Sequence, residues 1–138
     1  MTAVMICMDA NCVIYLVENN PLWGPKVMAR LATARTAGDT IAVSDLARSE
    51  CLVGPLRNND TALLADYQRF FASPAVQTLP LTAAVCERAA EVRVASAMRF
   101  ELPDALHLSA AITHGCGLFL TNDAKLARCA GIVVEVLM

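Results

Sequence analysis

The sequence predicts an α/β domain built on a central parallel sheet of about five strands flanked by helices. Three observations carry this reading. Short β-rich apolar segments alternate with helical ones along all 138 residues, the order that strand–helix–strand crossovers require. The first such segment, Ala3 to Met8, is apolar throughout rather than alternating, as a strand covered on both faces must be. No repeat, linker or low-complexity stretch interrupts the pattern, so residues 1–138 read as one domain.

The elements follow in order. Asp9 ends the first strand. A helix pair comes next, Asn11 to about Val17 and then Pro21 to Ala37, with Pro21 in the first turn and Gly38 as the stop. Thr40 to Val43 is a second strand, and Ser44 is the expected N-cap of a helix that carries Glu50 and ends at Gly54 and Pro55. Asp60 caps a helix to about Phe71, and Val76 to Leu79 is a third strand. Thr82 caps a helix in which Val85, Ala89, Val92 and Ser96 recur at a period of about 3.6, with charged residues between them. Leu102-Pro103-Asp104 opens a helix to His114, Gly115 to Gly117 breaks it, and Leu118 to Thr121 is a fourth strand. Asn122-Asp123 starts a last short helix, and Ile132 to Leu137 is a fifth strand.

Composition excludes several classes. The hydrophobic fraction of 57% reflects 24 alanines, and the longest apolar run falls far short of a bilayer crossing, which takes about 20 residues. No secretory signal pattern is visible, so a cytoplasmic, non-membrane protein is expected. Eleven Lys and Arg against 13 Asp and Glu give a net charge of -2, so no global positive field draws in nucleic acid, and any such contact must be local. The six cysteines form no C-x-x-C pair and the two histidines are not spaced as zinc ligands. All six are expected to be small buried hydrophobes in a reducing compartment.

Four acids stand beside apolar sequence at element ends: Asp9, Glu50, Asp104 and Asp123. Each has a bland explanation, since Asp9 caps a helix, Asp104 and Asp123 suit the positive end of a helix dipole, and Glu50 suits a solvated face. The α/β topology nevertheless brings the ends of the first and fourth strands toward one cleft, beyond the carboxyl edge of the sheet where such folds bind ligands. Two carboxylates 5 Å apart repel by about 3 kcal/mol at an effective dielectric of 20. A divalent cation is their natural partner, and oxygen donors alone favour Mg²⁺ or Mn²⁺ over zinc. That chemistry suits phosphodiester hydrolysis.

At these residues the chain resembles the PIN-domain ribonucleases and, within them, the VapC-type toxins of toxin-antitoxin pairs. The resemblance covers nearly the whole chain and rests on four motifs in order: Ile6-Cys-Met-Asp-Ala-Asn-Cys-Val-Ile-Tyr-Leu16, Ser44-Asp-Leu-Ala-Arg-Ser-Glu-Cys-Leu-Val-Gly54, Pro103-Asp-Ala-Leu-His-Leu-Ser-Ala-Ala111 and Leu118-Phe-Leu-Thr-Asn-Asp123. It implies a PIN-like domain over residues 1–138. It assigns Asp9, Glu50, Asp104 and Asp123 to an acidic metal site, with Asn11, Thr121 and Asn122 as supports. It further implies Mg²⁺ or Mn²⁺ dependence, endonucleolytic cleavage of RNA, homodimerisation and inhibition by a cognate antitoxin. Many members carry another acid two residues after the last of the four, where this chain has Lys125, which puts a second metal in doubt. Lys125 and Arg128 are candidate contacts to RNA phosphates.

His107, one helical turn after Asp104, either faces the same cleft or is a packed helix histidine. Trp23, Phe70 and Phe71 are expected in core or dimer packing rather than on bases, and the resemblance implies that Tyr15 and Leu16 help shape an antitoxin or dimer groove. Three rivals compete. A phosphorelay receiver needs an acid at the end of the third strand, where Leu79-Pro80-Leu81 has none, and a haloacid-type phosphatase needs D-x-D where the chain reads Asp9-Ala-Asn11. A nuclease-dead PIN domain acting as an RNA- or protein-binding module would usually have lost an acid, and all four are present.

Overall fold

Strands and helices alternate in the computed structural model, which describes residues 2–138. The elements are β1 (Met5–Met8), α1 (Ala10–Val17), α2 (Gly24–Thr36), β2 (Thr40–Ser44), α3 (Leu46–Arg57), α4 (Thr61–Ala72), β3 (Val76–Leu79), α5 (Ala83–Ala95), α6 (Leu102–Thr113), β4 (Leu118–Thr121), a 3-10 turn (Ala124–Arg128) and β5 (Val133–Val136). The five strands form one sheet in the order β3-β2-β1-β4-β5, and every pairing is parallel. From β1 the chain winds out to β2 and β3, then returns to place β4 on the other side of β1. The order therefore reverses between β1 and β4, where Asp9 and Asp123 leave the sheet.

The apolar central strands are explained by two cores. Side chains alternate across a strand, so Ile6, Met8, Val43 and Leu120 pack with α1 to α4 on one face, while Cys7, Ala42 and Phe119 pack with α5 and α6 on the other. In the three central strands β1, β2 and β4 the buried positions stay apolar until the carboxyl end, and there Asp9, Ser44 and Thr121 are buried polar side chains. In α5, Val85 and Ala89 are fully buried on the expected face, with Val92 and Ser96 half-buried.

Several boundaries differ from the sequence reading. Pro21 lies in a turn and α2 begins only at Gly24, because the Asn20 carboxamide accepts from the Leu22 and Trp23 amides and caps the turn instead. Ser44 completes β2 rather than capping α3. The cap position falls to Asp45, whose carboxylate meets Arg48 Nε at 3.1 Å. Gly54 and Pro55 do not stop α3, which runs on to Arg57. A proline in the last turn forfeits one amide donor, but its ring is buried and its carbonyl still accepts the Asp60 amide at 2.9 Å. The short helix expected after Asp123 is present as a single 3-10 turn, and β1 and β5 are shorter than expected.

The cysteine expectation is half corrected. Cys7, Cys12 and Cys51 are buried, whereas Cys86 is exposed and Cys116 and Cys129 are partly so. Burial, aided by nearby carboxylates, pushes the Cys51 thiol up to about 12 and raises Cys12 further. These two are neutral packing groups. Cys86 faces water because α5 turns that side outward.

Candidate active site

Asp9 is the most constrained of the four acids. It is 6% exposed, its Oδ1 accepts the Cys12 amide at 3.0 Å to cap α1, and its Oδ2 accepts the Thr121 hydroxyl at 2.5 Å. Thr121 in turn accepts the Asp123 amide at 3.0 Å. A single hydroxyl thus ties the ends of β1 and β4 together. The bland capping role of Asp9 and its place at the switch point are the same geometry, since one oxygen caps while the other faces β4. Asp123 caps the 3-10 turn through the Lys125 amide at 3.0 Å.

Asp104 lies in the first turn of α6 and is partly buried. Burial raises its carboxyl above the ordinary 3.8, with Asp123 and Asp9 pushing the same way and Lys125 and His107 opposing. The Asp104 carboxyl therefore feels both other aspartates across the carboxyl edge of the sheet. The folded chain holds the Asp104 proton more tightly than the unfolded chain does. Its stabilising effect is complete below the ordinary carboxylate value and is lost as pH rises through the folded value. At neutral pH the wild type accordingly carries an ionisation penalty that Asp104→Asn lacks. Calorimetry in chelator is expected to show the variant melting above the wild type at neutral pH, with the gap closing as pH falls into the carboxylate range. A gap that does not change with pH would contradict this.

The fourth acid is held by residues that the sequence left open. Glu50 Oε1 meets His107 Nε2 at 2.5 Å, and Ser44 Oγ meets His107 Nδ1 at 2.6 Å. A carboxylate only accepts, so Nε2 carries a proton, and in the neutral ring Nδ1 accepts from the Ser44 hydroxyl. His107 and Ser44 are buried, whereas the Glu50 side chain is 36% exposed. His107 is thus both a packed histidine and a member of the site. Its spacing of three from Asp104, one turn along the same helix face, was the available signal. Ser44 gave none, because its strand-end position equally suits a cap.

The supporting residues divide. Thr121 bonds Asp9, and Asn122 Nδ2 donates to the Tyr15 hydroxyl at 2.8 Å, fixing α1 against the loop after β4. Asn11 is exposed and makes no side-chain hydrogen bond among the described residues. Tyr15 stacks on Trp23 at 5.9 Å between ring centroids; Tyr15 and Leu16 are partly buried against the core, and Leu16 also lines a surface hollow with Leu31, Ile41 and Phe70. Phe71 is buried, and Phe70 packs against it edge-on. Lys125 Nζ stands 3.8 Å from Asp123 Oδ2, and Arg128 is exposed in the same turn.

Among the described residues no group of three or more His, Cys, Asp or Glu side chains is arranged to hold a metal ion by itself. The donor chemistry suits an ion that keeps most of its water, since Mg²⁺ typically takes only one or two carboxylates. Each Asp9 oxygen is engaged by one hydrogen bond and keeps a second lone pair.

The family model of the PIN domain matches residues 6–132. The chain belongs to the PIN domain family. This PIN domain superposes on VapBC2 of Rickettsia felis bound to a promoter DNA fragment with a TM-score of 0.80, at 17% identity over 97% of this chain and 99% of that one. A toxin-antitoxin complex from Klebsiella pneumoniae gives 0.68 at 20% identity over 96% of each chain. VapC20 of Mycobacterium tuberculosis, a toxin that cleaves the sarcin-ricin loop, gives 0.70 at 17% identity over 93% of this chain and 98% of that one. No curated protein matches this PIN domain in sequence. At such identities the superpositions establish the fold, which agrees with the five-stranded parallel sheet and its flanking helices.

Proposed function

We propose that this PIN domain is a Mg²⁺- or Mn²⁺-dependent endoribonuclease and the toxin of a toxin-antitoxin pair. The observation that carries the reading is the convergence of acids at the switch point: Asp9 and Asp123 joined through Thr121, with Asp104 close enough to be raised by both. Its family and the toxins sharing its fold support the same reading.

Asp9, Asp104 and Asp123 would hold the ion, one or two of them directly and the rest through its bound waters, with Glu50 beside it. When bound, a divalent ion supplies an activated water and stabilises charge developing on the phosphate. The chain's own residues do the rest. His107 occupies Oε1 of Glu50 and fixes that carboxylate's rotation, which leaves Oε2 to accept a hydrogen from an incoming water. Thr121 holds the Asp9 carboxylate and the backbone of Asp123 at a fixed separation, and the Lys125 amide holds the Asp123 carboxylate, so neither swings away as charge changes. Lys125 partly neutralises Asp123 and stands where a phosphate oxygen would approach. Water, not the 2′-hydroxyl, is the nucleophile.

The same reading makes the protein a cytoplasmic homodimer inhibited by a small cognate antitoxin. Large apolar side chains that remain exposed, among them Leu22 and Met28 beside the α1–α2 turn and Leu56, Val94 and Val133, support partner binding. No helix among the described residues is long and apolar enough to cross a membrane. The test is incubation of purified protein with RNA in Mg²⁺, in Mn²⁺ and in EDTA. Cleavage confined to one or a few RNAs is expected with either metal and none in EDTA, and metal-independent cutting would reject the reading. Mapping the 5′ ends after brief induction in cells identifies the RNA.

A further inference from the structure

Two adjoining hollows share Ala95, Ser96, Phe100 and Arg128 and form one groove between the end of α5 and the 3-10 turn. Its wider part, about 840 Å³, is lined by Arg99, Lys125 and Arg128 among small and apolar residues, with no acid. In a chain of net charge -2, three of the 11 cations converge there. Among the described residues neither Arg99 nor Arg128 pairs with a carboxylate, and only Lys125 is shared, reaching Asp123 at 3.8 Å. Lys125 therefore belongs both to the groove and to the surroundings of Asp123.

Its wall is built at a conformational cost. Ala97 and Met98 are consecutive non-glycine residues in the left-handed region, at φ 55° and 62°, a state that persists only where surrounding contacts impose it. Those contacts are present: the Met98 amide donates to Arg93 O at 2.8 Å, Arg93 Nε to Phe100 O at 3.2 Å, and the Phe100 amide to Ser96 Oγ at 3.3 Å. The result presents Arg99 to the groove opposite Arg128.

We propose that this groove binds the sugar-phosphate backbone of the RNA strand leading away from the acid site. The inference rests on the ribonuclease reading and adds where the substrate lies. Phosphates fit because the lining offers unpaired cations over a floor of small side chains, supplying charge neutralisation without base-edge contacts. Arg99 and Arg128 each present a planar fork of donors suited to phosphate oxygens. Specificity for particular bases then comes from elsewhere on the surface, while this track supplies sequence-independent affinity.

The test measures binding of a short fluorescein-labelled single-stranded RNA of mixed sequence, in EDTA to prevent cutting, across a series of KCl concentrations. Neutralising a single-strand phosphate contributes about 0.7 to the slope of log K against log salt. Arg99→Gln with Arg128→Gln should therefore flatten the slope by about 1.4 and weaken binding uniformly across sequences. Arg35→Gln removes one such charge in the last turn of α2, at the amino end of the sheet, and should leave the slope unchanged. Arg99→Lys with Arg128→Lys keeps the charge and should retain most of it, so the comparison holds even if the glutamine pair folds poorly. If the wild type binds and cuts RNA but the glutamine pair keeps its slope, the groove inference is overturned and the ribonuclease reading stands. If the pair keeps its slope and instead loses a co-expressed antitoxin, the groove is a protein surface and the inference is likewise overturned. If the wild type neither binds nor cuts RNA, the ribonuclease reading fails and this inference falls with it.

Discussion

Replacing Asp104 by asparagine is expected to slow RNA cleavage by a factor on the order of 10² to 10³, the loss that follows removal of one preorganised charge from a reacting site. The substitution is nearly isosteric and removes a partly buried negative charge that the folded chain already resists. The loss of activity should therefore come with a melting temperature in chelator at or above that of the wild type. That combination separates a chemical role from a structural one. If cleavage falls only a few-fold, Asp104 lies outside the reacting site. If it falls together with the melting temperature, the loss reflects unfolding.

Asp9 should behave in the opposite way toward stability. Electrostatic relief alone suggests that neutralising any of the clustered acids stabilises the fold, but the hydrogen bonds of Asp9 reverse that expectation. Asp9→Ala removes the cap of α1, which costs about 1 kcal/mol, and leaves the buried Thr121 hydroxyl without its acceptor, about 1 to 3 kcal/mol more. A combined loss of about 2 to 4 kcal/mol corresponds to a fall of roughly 10 °C in a domain of this size. Asp9→Asn should fall in between, because its carbonyl still caps the helix while its amide cannot accept from Thr121. Thermal unfolding of the two variants checks the order. An alanine variant as stable as the wild type would show that the Thr121 contact carries little weight.

The contrast between these two aspartates shows what the sequence made legible. The order of elements was visible because β1 is an unbroken apolar run, the other strands are short and rich in β-branched or apolar residues, and Asp60 and Thr82 each cap the helix that follows. The acids stood out for the same reason, as charges set against apolar sequence at strand and helix ends. What spacing could not supply was hydrogen-bond bookkeeping across the fold. The Ser44–His107–Glu50 chain joins residues 63 and 57 positions apart, and no local pattern distinguishes a serine that caps a helix from one that orients a histidine. The α3 boundary was misplaced because Gly54 and Pro55 carry strong local stop signals that tertiary burial of the proline ring overrides. Likewise the basic groove is invisible in a net charge of -2, because Arg99 and Arg128 meet only once α6 has folded back between them.

The central claim is that the acids at the β1–β4 switch point cleave RNA with water as the nucleophile. The most direct test is end-group analysis of RNA cut by the purified protein in Mg²⁺, with Asp104→Asn run in parallel. The account predicts a 5′-phosphate and a 3′-hydroxyl at the cut and almost no product from the variant. A 2′,3′-cyclic phosphate on the upstream fragment, or equal cutting by the variant, would contradict it.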